Sequence, residues 1–382
     1  MTPHEGGLPD ALEAADDLLD PPFADGARPG QLDILPPLLA RAEGGRDLVV
    51  LVDGLGAELL EDHLSLVPTL RRLRGDLRTV RSVAPTTTAT AMTSLVTGLA
   101  PLEHGVLGYL TLDPGSRRPV NQLKGAAGID PRRWMPCPVP AESAARRALQ
   151  VAPARHAASL LTGSAFRGWE FFAQAARGDR AGAALAALRT GGEHALVHVH
   201  VDDVDHAGHG AGVDSDAWRE ALADADALIG TLLRRVPRGT RVHVTADHGM
   251  VDTSRERTLD LARHPDVIEH LETVAGEPRA LVLFARRTEE APALIAATRE
   301  AVGEHAVVLG RGEILSSGLL GPASAAVPEH VRGRIGDAIV LARGGWVVDD
   351  SRRHPPGRRP EVGVHGSLTS TEALVPLLTV EA

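Results

Sequence analysis

The chain has 382 residues, with 50 acidic and 40 basic side chains, a formal charge of −10 and one cysteine, Cys137. The acid excess excludes broad binding to a nucleic-acid backbone, which needs clustered cations, and a single cysteine excludes an internal disulfide or a Cys-rich metal site. Histidine stands out, with 17 against 5 Phe, 4 Trp and 1 Tyr; imidazole is both a metal ligand and a proton carrier.

Residues 1–45 are rich in Pro, Gly and acids and are expected to wrap the surface. They lack the basic and then apolar segments of an export signal, and no run of about 18 apolar residues follows. The expectation is a cytoplasmic protein with no membrane contact. Residues 48–52 (LVVLV) form an apolar run closed by Asp53-Gly54, which reads as a buried strand with a turn at its end. In residues 82–98 (SVAPTTTATAMTSLVTG), Pro85 disfavours helix before it, and Thr86 to Thr88 can cap a helix that runs to Thr97 and stops at Gly98. Residues 153–190 are Ala-rich and read as mostly helical.

Residues 195–201 (ALVHVHV) and 241–246 (RVHVTA) read as further strands. Between them, residues 215–235 carry Trp218, Leu222, Ala225, Ile229 and Leu232 at helical spacing. Strand, helix and strand in this order imply a right-handed crossover and a parallel sheet. The texture changes after Met250. Residues 278–284 read as a strand, 292–302 as a helix and 306–309 as a strand. Residues 257–340 are therefore expected to form a small α+β insertion, a cap on a core of residues 1–256 and 341–382. The return to that core is placed in residues 338–341 and 346–348. Residues 351–360 (SRRHPPGRRP) are a polar, Pro-rich linker or a flap near anions.

In open parallel sheets, ligands bind beyond the carboxyl ends of the strands. Three of these strands end in acids or histidines: Asp53, the run from Asp202 to His209, and Asp247-His248. One such Asp is an ordinary turn former, but three at one edge are a different matter. Clustered acids without a cation repel and raise one another's pKa, whereas carboxylate and imidazole together are ligands of zinc and manganese. Asp205 and His209 are four apart, on one face of a helical turn. Asp247 and His248 are adjacent, and can share one metal only if the backbone turns there, as Gly249 permits. Asp202 and Asp203 have weaker claims. His206 and Asp252 are ligand-orienting partners or solvated loop residues. His198, His200 and His243 lie within strands and read as packed. Thr86 to Thr88 either cap their helix or offer a hydroxyl nucleophile where free N–H groups and the helix dipole favour phosphate or sulfate. His365 precedes a helix expected near residues 370–371.

Four motifs, LVDGLG, PTTTATAMTSLVTGLAPLEHG, DHAGHGAG with ADHGM, and GVHGSL, occur in this order between residues 48 and 378. The ordered set resembles the type I phosphodiesterase/nucleotide pyrophosphatase family of the alkaline phosphatase superfamily. The resemblance implies a three-layer α/β/α fold with a mostly parallel central sheet. It also implies two divalent metal ions, zinc above all with manganese or magnesium possible, about 4 Å apart. It sets Asp53, Thr88, Asp247 and His248 around one metal and Asp205, His209 and His365 around the other. Thr88 is the implied nucleophile. One departure is read at Ala91, where the resemblance leads us to expect a phosphate-holding Asn. Backbone amides near Thr88, together with Asn121 and Lys124, are the candidates to replace it, against a surface turn for those last two. Cys137 lacks the Arg of the sulfatase pattern and reads as structural.

The implied reaction is hydrolysis of a phosphoric diester or nucleotide pyrophosphate bond through a covalent phospho-threonine. The substrate is a small-molecule phosphate ester or nucleotide; the oligomeric state is not readable. The same site would serve a phosphomonoesterase or a phosphonate hydrolase. A phosphomutase fits less well, because residues 98–190 hold no large insertion. An inactive metal-binding relative fits poorly with retention of every implied ligand.

Overall fold

The computed structural model describes residues 8–355 and 361–382. Residues 1–7 of the N-terminal wrap and 356–360 of the Pro-rich stretch lie outside the described residues. Among the described residues, no helix is long and apolar enough to cross a membrane.

Alternation along strand β1 (Asp47–Val52) sets up the layers. Leu48, Val50 and Val52 enter one apolar cluster, while Val49 and Leu51 enter another on the opposite face. Side chains of a strand alternate between faces, so a strand apolar throughout must be covered on both sides. The first face is covered by helices α2 (Arg180–Gly191) and α4 (Asp216–Arg235), and the second by α1 (Thr88–Thr97) with Ile34, Leu35, Leu38 and Leu39 of the N-terminal wrap. This is the three-layer α/β/α architecture expected.

The remaining strands of the main sheet are β2 (Leu77–Arg81), β3 (Ala148–Pro153), β4 (Glu170–Gln174), β5 (Leu196–Val201) and β6 (Arg241–Thr245), with β11 (Leu374–Glu381) near the C-terminus. Their order across the seven-stranded sheet is β2-β11-β6-β1-β5-β3-β4. The β6-β1-β5-β3-β4 pairs are parallel, and only β11 runs against its neighbours. Residues 153–190 are less helical than expected. They contain β4, an edge strand with partly exposed faces whose five residues carry no period-2 pattern.

A second sheet comprises β7 (Leu271–Glu277), β8 (Ala280–Ala285), β9 (Ala306–Gly310) and β10 (Ala338–Ala342), antiparallel in the order β7-β8-β10-β9. Helix α5 (Ala291–Val302) covers one face. The other face shares a core with Leu12, Leu102, Leu107 and Leu112. The return to the core expected in residues 338–341 is therefore not found there. That run is β10, an inner strand of the second sheet, and an apolar strand fits either sheet equally well. The boundary drawn between residues 340 and 341 passes through it. Val347–Asp349 pairs with Thr258–Asp260 instead.

Candidate functional site

Continuing the alternation of β1 puts Asp53, one residue beyond its end, on the same face as Val49 and Leu51. That is the face covered by α1. Thr88 is the first residue of α1, which follows the extended Thr87 and ends at Gly98 with a left-handed backbone (φ 71°). The helix has the predicted limits, but its threonines do not cap it. Thr87 makes no side-chain cap bond, and the Thr86 hydroxyl donates to the Ser367 carbonyl at 2.7 Å. Thr88 Oγ1 instead lies 3.4 Å from Asp53 Oδ1 and 3.1 Å from His248 Nε2. The free N–H groups of the first turn of this ten-residue helix sit beside it.

Asp205 and His209 project from helix α3 (Asp203–Ala211), one turn apart, with His209 Nε2 3.3 Å from Asp205 Oδ1. His365 Nε2 is 3.7 Å from the same oxygen. After β6 the chain leaves extended geometry, so Asp247 and His248 turn toward one centre. His248 Nε2 is 3.5 Å from both Asp247 Oδ2 and Asp53 Oδ1. A side chain at Gly249 would meet the Thr371 carbonyl, so this glycine is required by close packing, not by a left-handed backbone. Two groups that could each hold a metal ion result: Asp53, Asp247 and His248; and Asp205, His209 and His365. These are the groups implied by the family resemblance.

The donor chemistry fits divalent cations. Three Nδ1–H groups donate to backbone carbonyls: His209 to Gly363 at 2.8 Å, His365 to Thr86 at 2.9 Å and His248 to Gly249 at 3.0 Å. A carbonyl accepts only, so in each neutral ring Nε2 carries the lone pair. Asp205 Oδ1 and Asp247 Oδ2 are buried without a hydrogen-bond partner, which a protein avoids unless something else satisfies them. Burial, then the charge of Asp53, pushes Asp247 up to about 7. Burial, then Asp205, raises Asp53. Burial works against ionised Asp205 too, but His209 and His365 hold it below the ordinary carboxylate range. Burial opposes the imidazolium of His209 as well, yet Asp205 lifts it to about 9.

Other predicted residues are placed differently. Asn121 Oδ1 accepts the N–H groups of Leu123 and Lys124 at 2.9 and 3.0 Å, making the surface turn, and neither Asn121 nor Lys124 lines the cavity. Ala91 is packed among Phe23, Leu32, Val83 and Ala100. It does not line the cavity, so the phosphate-holding position read at Ala91 is not part of its wall. Asp202 and Asp203 are tied to Arg180, and Asp202 also to Arg155. Asp252 accepts the Val213 N–H. His243 pairs with Asp47, and His198 packs against Phe166 and Trp169. Cys137 is half-buried in the apolar cluster beside Met135, and burial raises its thiol.

Three contributors lie outside the four motifs. His200 Nε2 lies 2.9 Å from Asp53 Oδ2; in the alternation of β5 it points to the α1 face, so it is not simply packed. Gln31 Nε2 donates to the Asp247 carbonyl at 3.0 Å, and Ser82 Oγ donates to the same oxygen at 2.6 Å. The N-terminal wrap thus helps to fix the turn that carries Asp247 and His248.

A cavity of about 950 Å³ opens from Thr87 and Thr88. Its walls include Asp205, His209 and His365, the Tyr109–Leu110 segment, the second sheet from Glu272 to Pro278, and Asp350 to Pro355. A smaller chamber of about 100 Å³ lies on the other side of Thr88 and Asp53, with Gln150, His156 and His200 in its wall.

A mixed sheet with acids and imidazoles at its carboxyl edge, and a hydroxyl on a helix N-terminus between them, defines a hydrolase of phosphoric ester bonds. Residues 48–368 match the model of the type I phosphodiesterase/nucleotide pyrophosphatase family, and the chain belongs to that metal-dependent family. Among solved structures, it resembles murine ectonucleotide pyrophosphatase/phosphodiesterase 5 (20% identity, TM-score 0.65, covering 86% of this chain and 87% of that one). The human counterpart gives 18% identity and a TM-score of 0.67, covering 87% of each chain. An inactive threonine-to-alanine variant of the murine protein in complex with AMP gives 20% and 0.66, over 88% of this chain and 87% of that one. At these identities the likeness establishes the alkaline phosphatase-like fold.

Proposed function

We propose that the chain hydrolyses a phosphoric diester or nucleotide pyrophosphate in two in-line displacements, with Thr88 as the covalent nucleophile. The carrying observation is the position of Thr88 Oγ1, 3.1 Å from His248 Nε2 and 3.4 Å from Asp53 Oδ1 at the start of a buried helix. Asp53, Asp247 and His248 would hold one divalent cation beside Thr88, and Asp205, His209 and His365 a second. When bound, such cations lower the pKa of the hydroxyl and offset the charge of the transferring phosphoryl group.

The residues do the rest. The Thr88 oxygen attacks phosphorus and the leaving oxygen departs on the opposite side. The first-turn N–H groups of α1 meet the phosphoryl oxygens as negative charge builds. Asp205, His209 and His365 line the large cavity, so the leaving group occupies it. A water then attacks the phospho-threonine and returns the hydroxyl. Zinc is the metal that best suits the mixed carboxylate and imidazole donors. A cavity of about 950 Å³ far exceeds a bare phosphate, which favours a substrate with a sizeable second group. The inactive threonine-to-alanine relative bound to AMP is in keeping with a threonine nucleophile and a nucleotide substrate.

Thr88→Ala is expected to lower turnover of bis(p-nitrophenyl) phosphate by about a thousandfold or more. Zinc content by elemental analysis should remain near that of the parent. Full activity in this variant would remove Thr88 from the reaction. Preference for p-nitrophenyl phosphate over the diester would replace the diesterase reading by a monoesterase.

A further inference from the structure

Met250 follows His248 by two residues and is buried. Its Sδ lies where side chains would stand at two glycines from distant parts of the chain. A Cβ at Gly208, in α3, would overlap that sulfur, and a Cβ at Gly363 would fall 2.5 Å from it. The Cβ at Gly363 would also fall 2.7 Å from the Gly208 carbonyl oxygen. Neither glycine has a left-handed backbone, so close packing alone requires them. Backbone bonds tighten the same joint. Val251 and Asp252 pair with Val364 and Gly363 in a short antiparallel ladder. The Val362 N–H donates to the His209 carbonyl at 3.0 Å, and the Gly363 carbonyl accepts from His209 Nδ1 at 2.8 Å. Met250 thus sits between the helix that carries Asp205 and His209 and the segment that leads to His365.

The two ligand groups are held by different means. Asp53 and the Asp247-His248 turn follow adjacent strands of the main sheet, β1 and β6. The Gly249 N–H donates to the Glu372 carbonyl at 2.8 Å, and Gln31 and Ser82 hold the Asp247 carbonyl. That group is anchored without Met250. Asp205, His209 and His365 come instead from a helix and a loop that meet at the two glycines, with a slim, unbranched thioether as the filler. Removing that filler leaves a gap into which the two pieces relax. We propose that Met250 is a positioning residue for the second cation: it sets the separation of α3 and the His365 segment, and so brings Asp205, His209 and His365 to one ion. This rests on the two-cation reading above. Met250 also belongs to the apolar cluster of Val204 and Trp218. A role confined to that core would change stability and leave the relative affinity of the two ions alone.

Cobalt(II) titration of the metal-free full chain separates the two roles, because each bound ion adds visible absorption of its own. His365→Ala identifies the band of the second ion by its loss. Met250→Ala should weaken that ion by about tenfold and alter its band, with the other ion bound as in the parent. Gly208→Ala should weaken the same ion, because its methyl takes the place of the sulfur. In the Met250→Ala background that methyl meets no sulfur, so the double variant should bind the second ion better than the two separate losses predict. Equal weakening of both ions, or an unchanged second ion in folded variants, would overturn the role. Fewer than two ions in the parent would overturn the two-cation reading instead, and hydrogen exchange of the metal-free proteins would then decide on Met250. Faster exchange in Met250→Ala at residues 203–211 and 362–364, with residues 241–245 as in the parent, would support the joint. Exchange unchanged throughout would overturn it.

Discussion

His200 shows how one side chain can tune a site without touching the reacting atoms. It sits beside Asp53, 2.9 Å from Oδ2, buried and in the wall of the small chamber. The Nε2–H that it donates holds the Asp53 carboxylate in the direction of His248 and Thr88. Partners of this kind are worth about 10- to 100-fold in metal affinity. His200→Ala should therefore weaken zinc binding by about that factor, read by competition with a chromogenic chelator, while the far-ultraviolet circular dichroism stays that of the parent. Unchanged affinity would mean that Asp53 orients itself. The sequence position of His200 hides this role. In ALVHVHV, both histidines share a face and look alike, but His198 meets Phe166 and Trp169 whereas His200, two residues nearer the carboxyl edge, meets an acid. By contrast, Asp205 and His209 are legible, because their spacing is a helical turn and both ends are ligand chemistry.

At the level of elements, the strands that could be read, β1, β5, β6, β8 and β9, are rich in Val and Leu. Among the missed ones, β2 and β4 are partly exposed. β11 contains a proline, Pro376, and lies between β6 and β2 as the antiparallel strand. Nothing local in such segments separates them from loop. The tie between the two sheets is equally silent in sequence. Arg279, at the start of β8, is fully buried and donates to both Glu372 oxygens, at 3.1 and 2.5 Å, and to the Trp346 carbonyl at 2.6 Å. Glu372 also accepts the Ser367 N–H and the Thr369 hydroxyl. The pair thus anchors the loop that carries His365 to the sheet that carries Glu277. Arg279→Met leaves a buried carboxylate with part of its partners and should cost about 3 kcal/mol of stability. Urea denaturation followed by intrinsic tryptophan fluorescence measures this. A loss under about 1 kcal/mol would show that the loop holds its shape without the pair.

For the molecule as a whole, the ligand acids couple fold stability to pH and metal. Burial and Asp53 raise Asp247 from 3.8 to about 7 in the metal-free protein. A carboxyl raised in this way favours the protonated folded state. Its contribution is complete below the unfolded pKa of 3.8 and is lost as pH rises through about 7. Other groups act in the opposite sense. His365 and His104 are pushed down by burial, so each contributes stability above 6.5 that is lost in acid. The total pH profile therefore mixes signs, and the term belonging to Asp247 is isolated by difference. Without metal, Asp247→Asn should melt above the parent at about pH 8 by on the order of 5 °C, and the gap should close near about pH 4. With zinc the order should reverse at about pH 8, because the ion takes the place of the proton and the amide is a poorer ligand. Melting curves of both proteins, with EDTA and with zinc, decide the matter. Parallel curves under all four conditions would mean that Asp247 ionises without strain and does not hold the metal. The formal charge of −10 would then describe the site as well as the surface, and the paired ligand groups would lack the electrostatic reason for a cation that their burial now supplies.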